Sequence, residues 1–116
     1  MGYLLYGGRE YEFEDRWLAH LKAAVGTKFR RHESFFMSWK VDPVDGSGRI
    51  SLWMDPSQPI GFRFSGSKPP KLNKEWLQVL VELAGTHRGL IAVSEKDAAA
   101  YAEEQRALHA SQAASV

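Results

Sequence analysis

Few side chains in this sequence have the types and spacing that metal binding or catalysis would need. Cysteine is absent from all 116 residues, which excludes disulfides and thiolate metal sites. The histidines stand far apart, at His20, His32, His87 and His109. None has a second histidine four residues away, the spacing that places two metal ligands on one helix face. No phosphate-binding glycine motif and no Ser-His-acid set can be assembled from the spacing. We therefore predict no catalytic residue, no metal site and no cofactor, and the sequence offers no support for an enzymatic activity.

Basic and aromatic side chains are more informative, because they crowd one stretch, GTKFRRHESFFMSWK, at residues 26–40. Residues 26–74 hold nine Lys or Arg and four Asp or Glu, although the net charge of the chain is only +1. Proteins that bind single-stranded nucleic acid combine such groups, since bases stack on aromatic rings (about 1–3 kcal/mol per base) while cations follow the phosphates. The elements that carry these side chains decide which of them share a surface.

Apolar periodicity and turn residues divide the chain into nine elements. Strands are predicted at 3–6, 11–13, 34–41, 49–54, 60–65 and 89–94, and amphipathic helices at 16–31 and 74–84. The order β-β-α-β-β-β-α-β-α predicts a single α+β domain at 1–94, with a mostly antiparallel sheet and helices packed on one face. Residues 95–116 are Ala-rich and predict a helical C-terminal extension with a frayed end.

The ends of the two amphipathic helices carry residues suited to those positions. Asp15 and Asn73 precede the helices, where a side-chain oxygen can accept an unsatisfied backbone N–H. The last turn of the first helix holds Lys28, Arg30 and Arg31, whose positive charge complements the helix dipole. His20 is expected at the edge of the apolar stripe of the same helix. The basic cluster therefore has a structural explanation beside the functional one.

Alternation along 34–41 separates an apolar set, which faces the core, from an outward set that includes Phe36 and Lys40. The apolar set is Phe35, Met37, Trp39 and Val41. The strands at 49–54 and 60–65 add three outward residues to the same face. We predict a binding surface there, with a basic rim from the end of the first helix. Its residues are Phe36, Lys40, Arg49, Trp53 and Arg63, and the rim residues are Lys28, Arg30 and Arg31.

Exposed aromatic side chains on this face have more than one explanation. The Ala-rich extension could cover Phe36 and Trp53, because its own Tyr101 and Leu108 need apolar contacts. Otherwise the face binds a second copy of the chain, another protein, or single-stranded nucleic acid. We predict a small non-catalytic binding or assembly module whose partner is itself or another protein, with nucleic-acid binding as the alternative.

The sequence predicts a cytoplasmic protein that makes no membrane contact. No apolar run approaches the roughly 20 residues that a membrane-spanning helix needs. The start, MGYLLYGGREYEFE, has neither the charged segment nor the long apolar segment of a secretory signal. The absence of cysteine suits a reducing compartment.

Four segments make the chain similar to a family of short proteins from actinobacteria and their phages. They are GYLLYGG, LAHLKAAVGTKFRRHESFFMSW, GSGRISLWMDPSQPIGFRF and PPKLNKEWLQVLVELA, which together span roughly residues 2–94. That family has no established activity, and its members often carry the label "ATP-dependent DNA ligase". The resemblance therefore implies a folded domain of unknown function and raises the question of adenylyl transfer.

The residues of this chain do not match the ligase label. Such ligases use the lysine of a K-x-D-G motif as the nucleophile that attacks the α-phosphate of ATP. The nearest match begins at Lys40 and reads KVDP, so Pro43 stands where the motif has glycine. The longer stretch KVDPVDG, at 40–46, has the composition of a hairpin loop. We therefore place ligase activity last among the candidate functions.

Overall fold

The computed structural model describes residues 1–41 and 48–114, with side chains described as far as residue 112. Nine elements follow one another in the predicted order, which confirms the α+β class. They are β1 (Gly2–Tyr6), β2 (Arg9–Phe13), α1 (Asp15–Arg30), β3 (Phe35–Lys40), β4 (Arg49–Met54), β5 (Ile60–Arg63), α2 (Lys74–Ala84), β6 (Leu90–Ile91) and α3 (Glu95–Ala114). Within the described ranges, no helix combines the length and apolar character needed to cross a membrane.

The strands form two three-stranded sheets instead of one. The first sheet has the order β2-β1-β5 and is antiparallel throughout. The second has the order β4-β3-β6, in which β3 and β4 are antiparallel and β6 runs parallel to β3. After β4 the chain crosses to the first sheet, where β5 pairs with β1 so that Tyr6 lies opposite Ile60. Alternation predicts which side chains share a face of one strand, but it does not reveal which strand lies alongside.

Aromatic contacts join the two sheets. The ring of Trp39 on β3 lies against Phe13 and Tyr11 of β2, with centroids 5.0 and 5.5 Å away. The hydroxyl of Tyr6, at the end of β1, donates to the backbone carbonyl of Trp53 on β4 at 2.7 Å. Trp39 is therefore part of the core as predicted, although its position at the junction leaves it half-buried. The fully buried side chains between sheets and helices include Leu4, Leu18, Leu21, Met37, Met54, Leu80 and Leu90.

Asp15 does not cap α1, contrary to the prediction. The helix begins at Asp15 itself. The Asp15 carboxylate accepts hydrogen bonds from the backbone N–H groups of Gly66 at 2.8 Å and Ser65 at 3.2 Å. The hydrogen bond from Gly66 lowers the pKa of the Asp15 carboxyl. The side chain thus ties the start of α1 to the segment that leaves β5, a contact between residues 50 positions apart that local spacing does not encode.

Asn73 does cap α2 as predicted, and it also joins α1 to this helix. Its side-chain oxygen accepts from the backbone N–H groups of Glu75 at 3.0 Å and Trp76 at 3.2 Å. Its own backbone N–H donates to Nε2 of His20 at 2.7 Å. The other ring nitrogen of His20, Nδ1, lies 2.7 Å from the carbonyl of Arg16. Since a carbonyl only accepts and an amide N–H only donates, these two bonds require a neutral imidazole with its proton on Nδ1.

His20 is therefore a core residue and not an edge residue as predicted. It has no exposed surface, and its ring stacks on the indole of Trp76 with centroids 4.2 Å apart. The hydrogen bonds at both nitrogens make this burial tolerable, because a buried polar group without partners is costly. The sequence contained no signal for it, since the acceptor of one bond is four residues away but the donor of the other is 53 residues away.

The first residue of α3 is anchored to the same region. Arg16 donates through Nε and one terminal nitrogen to the two carboxylate oxygens of Glu95, at 3.1 and 2.6 Å. Its other terminal nitrogen donates to the backbone carbonyl of Lys71. The side-chain amide of Asn73 also donates to Glu95, at 2.9 Å. Further along, Arg106 pairs with Glu75 of α2 at 3.1 Å. These contacts direct α3 along α2.

We predict that His20→Leu lowers the free energy of unfolding by about 1–3 kcal/mol, because the buried N–H of Asn73 loses its acceptor. Urea unfolding followed by tryptophan fluorescence measures the change. His87 is exposed and provides the control, since His87→Ala should stay within about 0.5 kcal/mol of the wild type. Equal losses in the two variants would contradict the role assigned to His20.

The Glu95 contacts predict a pH dependence of stability. Hydrogen bonds, first from Arg16 and then from Asn73, lower the pKa of the Glu95 carboxyl from its ordinary 4.5 to about 2. The ionised carboxylate therefore stabilises the fold fully above about pH 4.5, and this contribution is lost as the pH falls towards 2. Urea unfolding across this range should show the wild type losing its advantage over Glu95→Gln.

Glu104 supplies the matched control for this prediction, because it is an exposed glutamate on the same helix. The difference in stability between wild type and Glu104→Gln should not vary over the same pH range. If the difference in unfolding free energy between wild type and Glu95→Gln stayed constant from pH 5 down to about pH 2, the role assigned to the Glu95 carboxylate would be contradicted.

Candidate functional site

The outer side of the β3–β4 hairpin brings three residue pairs together, which we call the β3–β4 face. The register places Phe36 opposite Trp53, Ser38 opposite Ser51 and Lys40 opposite Arg49. The N–H of Val41 donates to the carbonyl of Gly48 at 2.9 Å, so hydrogen-bonded pairs alternate with these three along the ladder. The face therefore consists of non-hydrogen-bonded pairs, in which cross-strand side chains lie closest.

An exposed aromatic pair forms one end of this face. The rings of Phe36 and Trp53 meet edge to face, with centroids 4.9 Å apart and planes at 66°. Such pairs contribute about 0.5–1.5 kcal/mol beyond their burial. Even so, Phe36 remains 50% exposed and Trp53 54% exposed.

The backbone beneath both aromatic residues is held in place. The Trp53 carbonyl accepts from the hydroxyl of Tyr6 at 2.7 Å. Gly89, just before β6, has φ +76° and lies so close to Phe36 that a Cβ there would collide with the Phe36 backbone. Glycine is needed at this position for the positive φ and for the close approach. The aromatic pair is therefore presented on a rigid support.

The rest of the face is polar and basic. Ser38 and Ser51 share a hydrogen bond across the strands, and Lys40 and Arg49 follow as two like charges directly opposite each other. Like charges in this position are unfavourable unless something else binds them. Within the part of the chain that the structure describes, neither cation forms an ion pair.

Arg88 adds a third cation that sequence reasoning missed. It borders a shallow recess on this side of the sheet together with Ser38, Arg49, Ser51 and Ile91. Ile91 is brought there by the parallel pairing of β6, which places it beside Ser38. The strand β6 has only two residues and pairs with a strand 53 positions away, so no sequence pattern predicts that Arg88 and Ile91 lie beside Ser38.

Arg63 does not belong to this face, so the prediction that it joins Trp53 is wrong. It lies on β5 opposite Tyr3 in the first sheet, with its guanidinium 4.8 Å from the centre of the Tyr3 ring. It also pairs with Glu10 of β2 at 3.3 Å. Tyr3 in turn donates to Glu12 at 3.1 Å, and this bond to a carboxylate raises the pKa of the phenol. Arg63 already has partners on its own sheet.

The predicted basic rim is also dispersed. Lys28 is only 8% exposed and forms an ion pair with Glu33, whose pKa it lowers. Arg30 borders a different groove, between α1 and the segment after β5, near Lys22 and Phe64. Arg31 is exposed directly after the last residue of α1. Consecutive helical residues point in different directions, so a run of basic residues does not make a continuous rim.

The C-terminal helix leaves the aromatic pair uncovered, which rules out the expectation that Tyr101 and Leu108 pack on it. Tyr101 is half-buried in a groove between α2 and α3, where Val79 and Gln78 are among its neighbours. Leu108 is 50% exposed. Exposure of Phe36 and Trp53 is thus a property of the folded chain with α3 in place.

The described ranges also bear on metal binding and on the ligase motif. They contain no group of three or more His, Asp or Glu side chains that could hold a metal ion. Lys40, the first residue of the KVDP stretch, is exposed at the end of β3. The predicted hairpin is confirmed by the pairing of β3 with β4, while residues 42–47 of its loop lie outside the described residues.

Comparison with known proteins identifies the domain but not an activity. No match to the chain was found among curated proteins or among solved structures. The model of one family, described as a domain of unknown function (DUF7882), matches residues 1–95. The matched region contains both sheets, α1 and α2, and ends at Glu95, the first residue of α3. This chain therefore belongs to the DUF7882 family.

Proposed function

We propose that this chain is a small, non-catalytic assembly module of the cytoplasm that associates with a second copy of itself through the β3–β4 face. The exposed edge-to-face pair of Phe36 and Trp53 carries the proposal. Two large aromatic side chains that stay half-exposed on a rigid sheet lose little conformational freedom when a partner covers them. Aromatic residues and arginine are also the side chains most enriched in protein interfaces, and the face contains both.

The position of the face supports the same function. All three helices pack away from it, and α3 is held to α1 by the pair Arg16–Glu95 and to α2 by the pair Arg106–Glu75. The face also adjoins the outer edge of β4, which is the last strand of its sheet. A partner that covers the aromatic pair therefore needs no rearrangement of the chain.

Single-stranded nucleic-acid binding is a second candidate, favoured by the cations of the face. Lys40, Arg49 and Arg88 have no ion-pair partner among the described residues, and they lie on the same side of the sheet as the aromatic pair. Phosphates would satisfy these charges while bases stack on Trp53. We rank it second because Arg63, Lys28 and Arg30, which would have extended the basic surface, lie elsewhere.

Adenylyl transfer, which the label of the resembling family would imply, is not part of this proposal. Lys40 is the one lysine that approaches the nucleophile motif, and Pro43 replaces its glycine. Incubation with ATP and Mg²⁺ followed by intact-mass measurement should leave the mass unchanged. An adenylated species that disappears in Lys40→Ala would restore the ligase candidate.

We predict that the wild type forms dimers in sedimentation velocity, with a dimer fraction that rises with concentration. Trp53→Ala should weaken the association at least tenfold, since a buried tryptophan at an interface typically contributes about 2 kcal/mol. Leu108→Ala is the matched control, because Leu108 is also about half exposed but lies on α3, away from the face. A wild type that stays monomeric at every concentration would contradict self-association.

The second candidate predicts that labelled single-stranded DNA or RNA gains fluorescence anisotropy at low salt and loses it steeply as salt rises. The double variant Lys40→Ala/Arg49→Ala should abolish this binding. Arg30→Ala/Arg31→Ala removes the same charge from a different surface and should leave it nearly unchanged. No binding at low salt, or equal effects of the two double variants, would contradict this function.

A further inference from the structure

The open edge of β4 offers a specific geometry for the contact. β4 pairs only with β3 in the second sheet, so its other edge has no neighbouring strand in the described chain. Two sets of hydrogen bonds show which residues face that edge. Gly48 bonds to Val41 on the β3 side, whereas Trp53 and Asp55 bond to Tyr6 on the opposite side. The backbone N–H and C=O groups of the even-numbered residues of β4 therefore point to β3. Those of the odd-numbered residues point to the open edge.

Tyr6 limits how far this edge can be extended. Its hydroxyl donates to the carbonyl of Trp53 at 2.7 Å and accepts from the N–H of Asp55 at 3.0 Å. It thus occupies the position that an incoming strand would need opposite Asp55. Arg49 and Ser51 remain with both edge groups open to another strand, and Trp53 remains with its N–H, because its carbonyl already accepts from Tyr6.

We propose that two copies of the chain join β4 to β4 in antiparallel orientation, about a twofold axis at Ser51. This inference rests on the proposed self-association and names its geometry. In this register Ser51 faces the partner's Ser51, and Arg49 faces the partner's Trp53 on both sides of the axis. All three pairs are of the hydrogen-bonded type by register, because odd-numbered residues of both strands direct their backbone groups to the shared edge. In the two outer pairs the Trp53 carbonyl would accept from the partner strand with its second lone pair, beside the bond from Tyr6. An axis at Leu52 would instead place the partner's Arg49 opposite Asp55, where the Tyr6 hydroxyl already lies. Only two hydrogen-bonded pairs, each of Ser51 with the partner's Trp53, would then remain.

The side chains of the face are complementary to themselves in this register. Arg49 would lie beside the partner's Trp53, and a guanidinium is attracted to the face of an indole ring. The contact occurs twice, once at each side of the axis. It gives an aromatic partner to a cation that, among the described residues, lies opposite the like charge of Lys40. It also covers Trp53, one of the two exposed rings of the aromatic pair.

The joined sheets form one six-stranded sheet with a regular outer face. A central row consists of serines, with Ser38 and Ser51 from each copy. A row on either side of it runs from the aromatic pair of one copy to the basic pair of the other. Sheet edges that do not pair are commonly blocked by proline, lysine or an inward charge. In β4 the five positions from Arg49 to Trp53 contain no proline and no lysine, and their one charged residue is Arg49, at the end of the strand.

Disulfide trapping tests the register. The sequence has no cysteine, so one substitution introduces a single thiol. In Ser51→Cys the two Cα atoms would lie about 5.5 Å apart, which is within disulfide reach. Ser38→Cys is the matched control: it replaces the same residue type on the same face, but one strand further from the axis in each copy, about 15 Å apart. Mild oxidation should give a covalent dimer of Ser51→Cys and leave Ser38→Cys monomeric on a non-reducing gel.

A charge exchange provides a second test that does not depend on cysteine. Trp53→Arg would place two arginines opposite each other and should shift sedimentation to the monomer. Adding Arg49→Trp to this variant restores one cation and one indole at each contact, so the double variant should regain the dimer. A structural defect caused by the first substitution would not be repaired by the second.

The outcomes separate this inference from the proposed function. A wild type that dimerises, with no preferential trapping of Ser51→Cys and no recovery in the double variant, overturns the β4 register and leaves the assembly function in place. A wild type that is monomeric at every concentration overturns both. Equal trapping of the two cysteine variants reflects random collision and also overturns the register.

Discussion

Three of the hydrogen-bonding groups of Asn73 hold the helical half of the molecule together. Its backbone N–H reaches His20 of α1, its side-chain oxygen begins α2, and its side-chain amide reaches Glu95 of α3. An aspartate at this position would lack the side-chain donor that reaches Glu95. A serine would offer a single hydroxyl, whereas Asn73 uses both its side-chain oxygen and its side-chain NH₂. Every helix therefore meets at one residue, and the sheets have a single helical layer to pack against.

This arrangement explains why the β3–β4 face is free. The bidentate contact between Arg16 and Glu95 sets the direction of α3 at its first residue, and Arg106 keeps it against α2. A long helix that could have crossed the outer face is thereby held on the far side of the core. The exposure of Phe36 and Trp53 follows from contacts made at the opposite side of the molecule. The surface proposed for assembly and the network that leaves it uncovered share no residue.

Sequence reasoning succeeded where the decisive contacts are local. The element order, the cap at Asn73 and the common face of Phe36, Lys40, Arg49 and Trp53 all depend on periodicity within a strand or on one hairpin. It failed where distant segments meet. Arg63 is on the other sheet because β5 pairs with β1, and Arg88 joins the face because β6 pairs with β3. His20 looked like an edge residue because its second hydrogen-bond partner is 53 positions away.

The same distinction applies to charge. The basic stretch at residues 26–40 looked like a single surface, yet Lys28 is buried against Glu33 and Lys40 stands on a sheet. These cations are close in sequence but lie on separate elements, and of the two only Lys28 forms an ion pair among the described residues. Charge density along a chain is therefore a weak guide to charge density on a surface until the pairing of its strands is known.

Tyr6 has a consequence for the size of any assembly built on the second sheet. An isologous contact about a twofold axis uses the same edge of both copies and so closes on itself. The phenol ends that edge at Trp53, and the opposite edge of the sheet is β6, a strand of two residues. A sheet that has only one edge long enough to recruit another strand stops growing after a single addition. If two copies pair at β4, the second sheet therefore exposes aromatic residues beside an open strand without extending into a fibril.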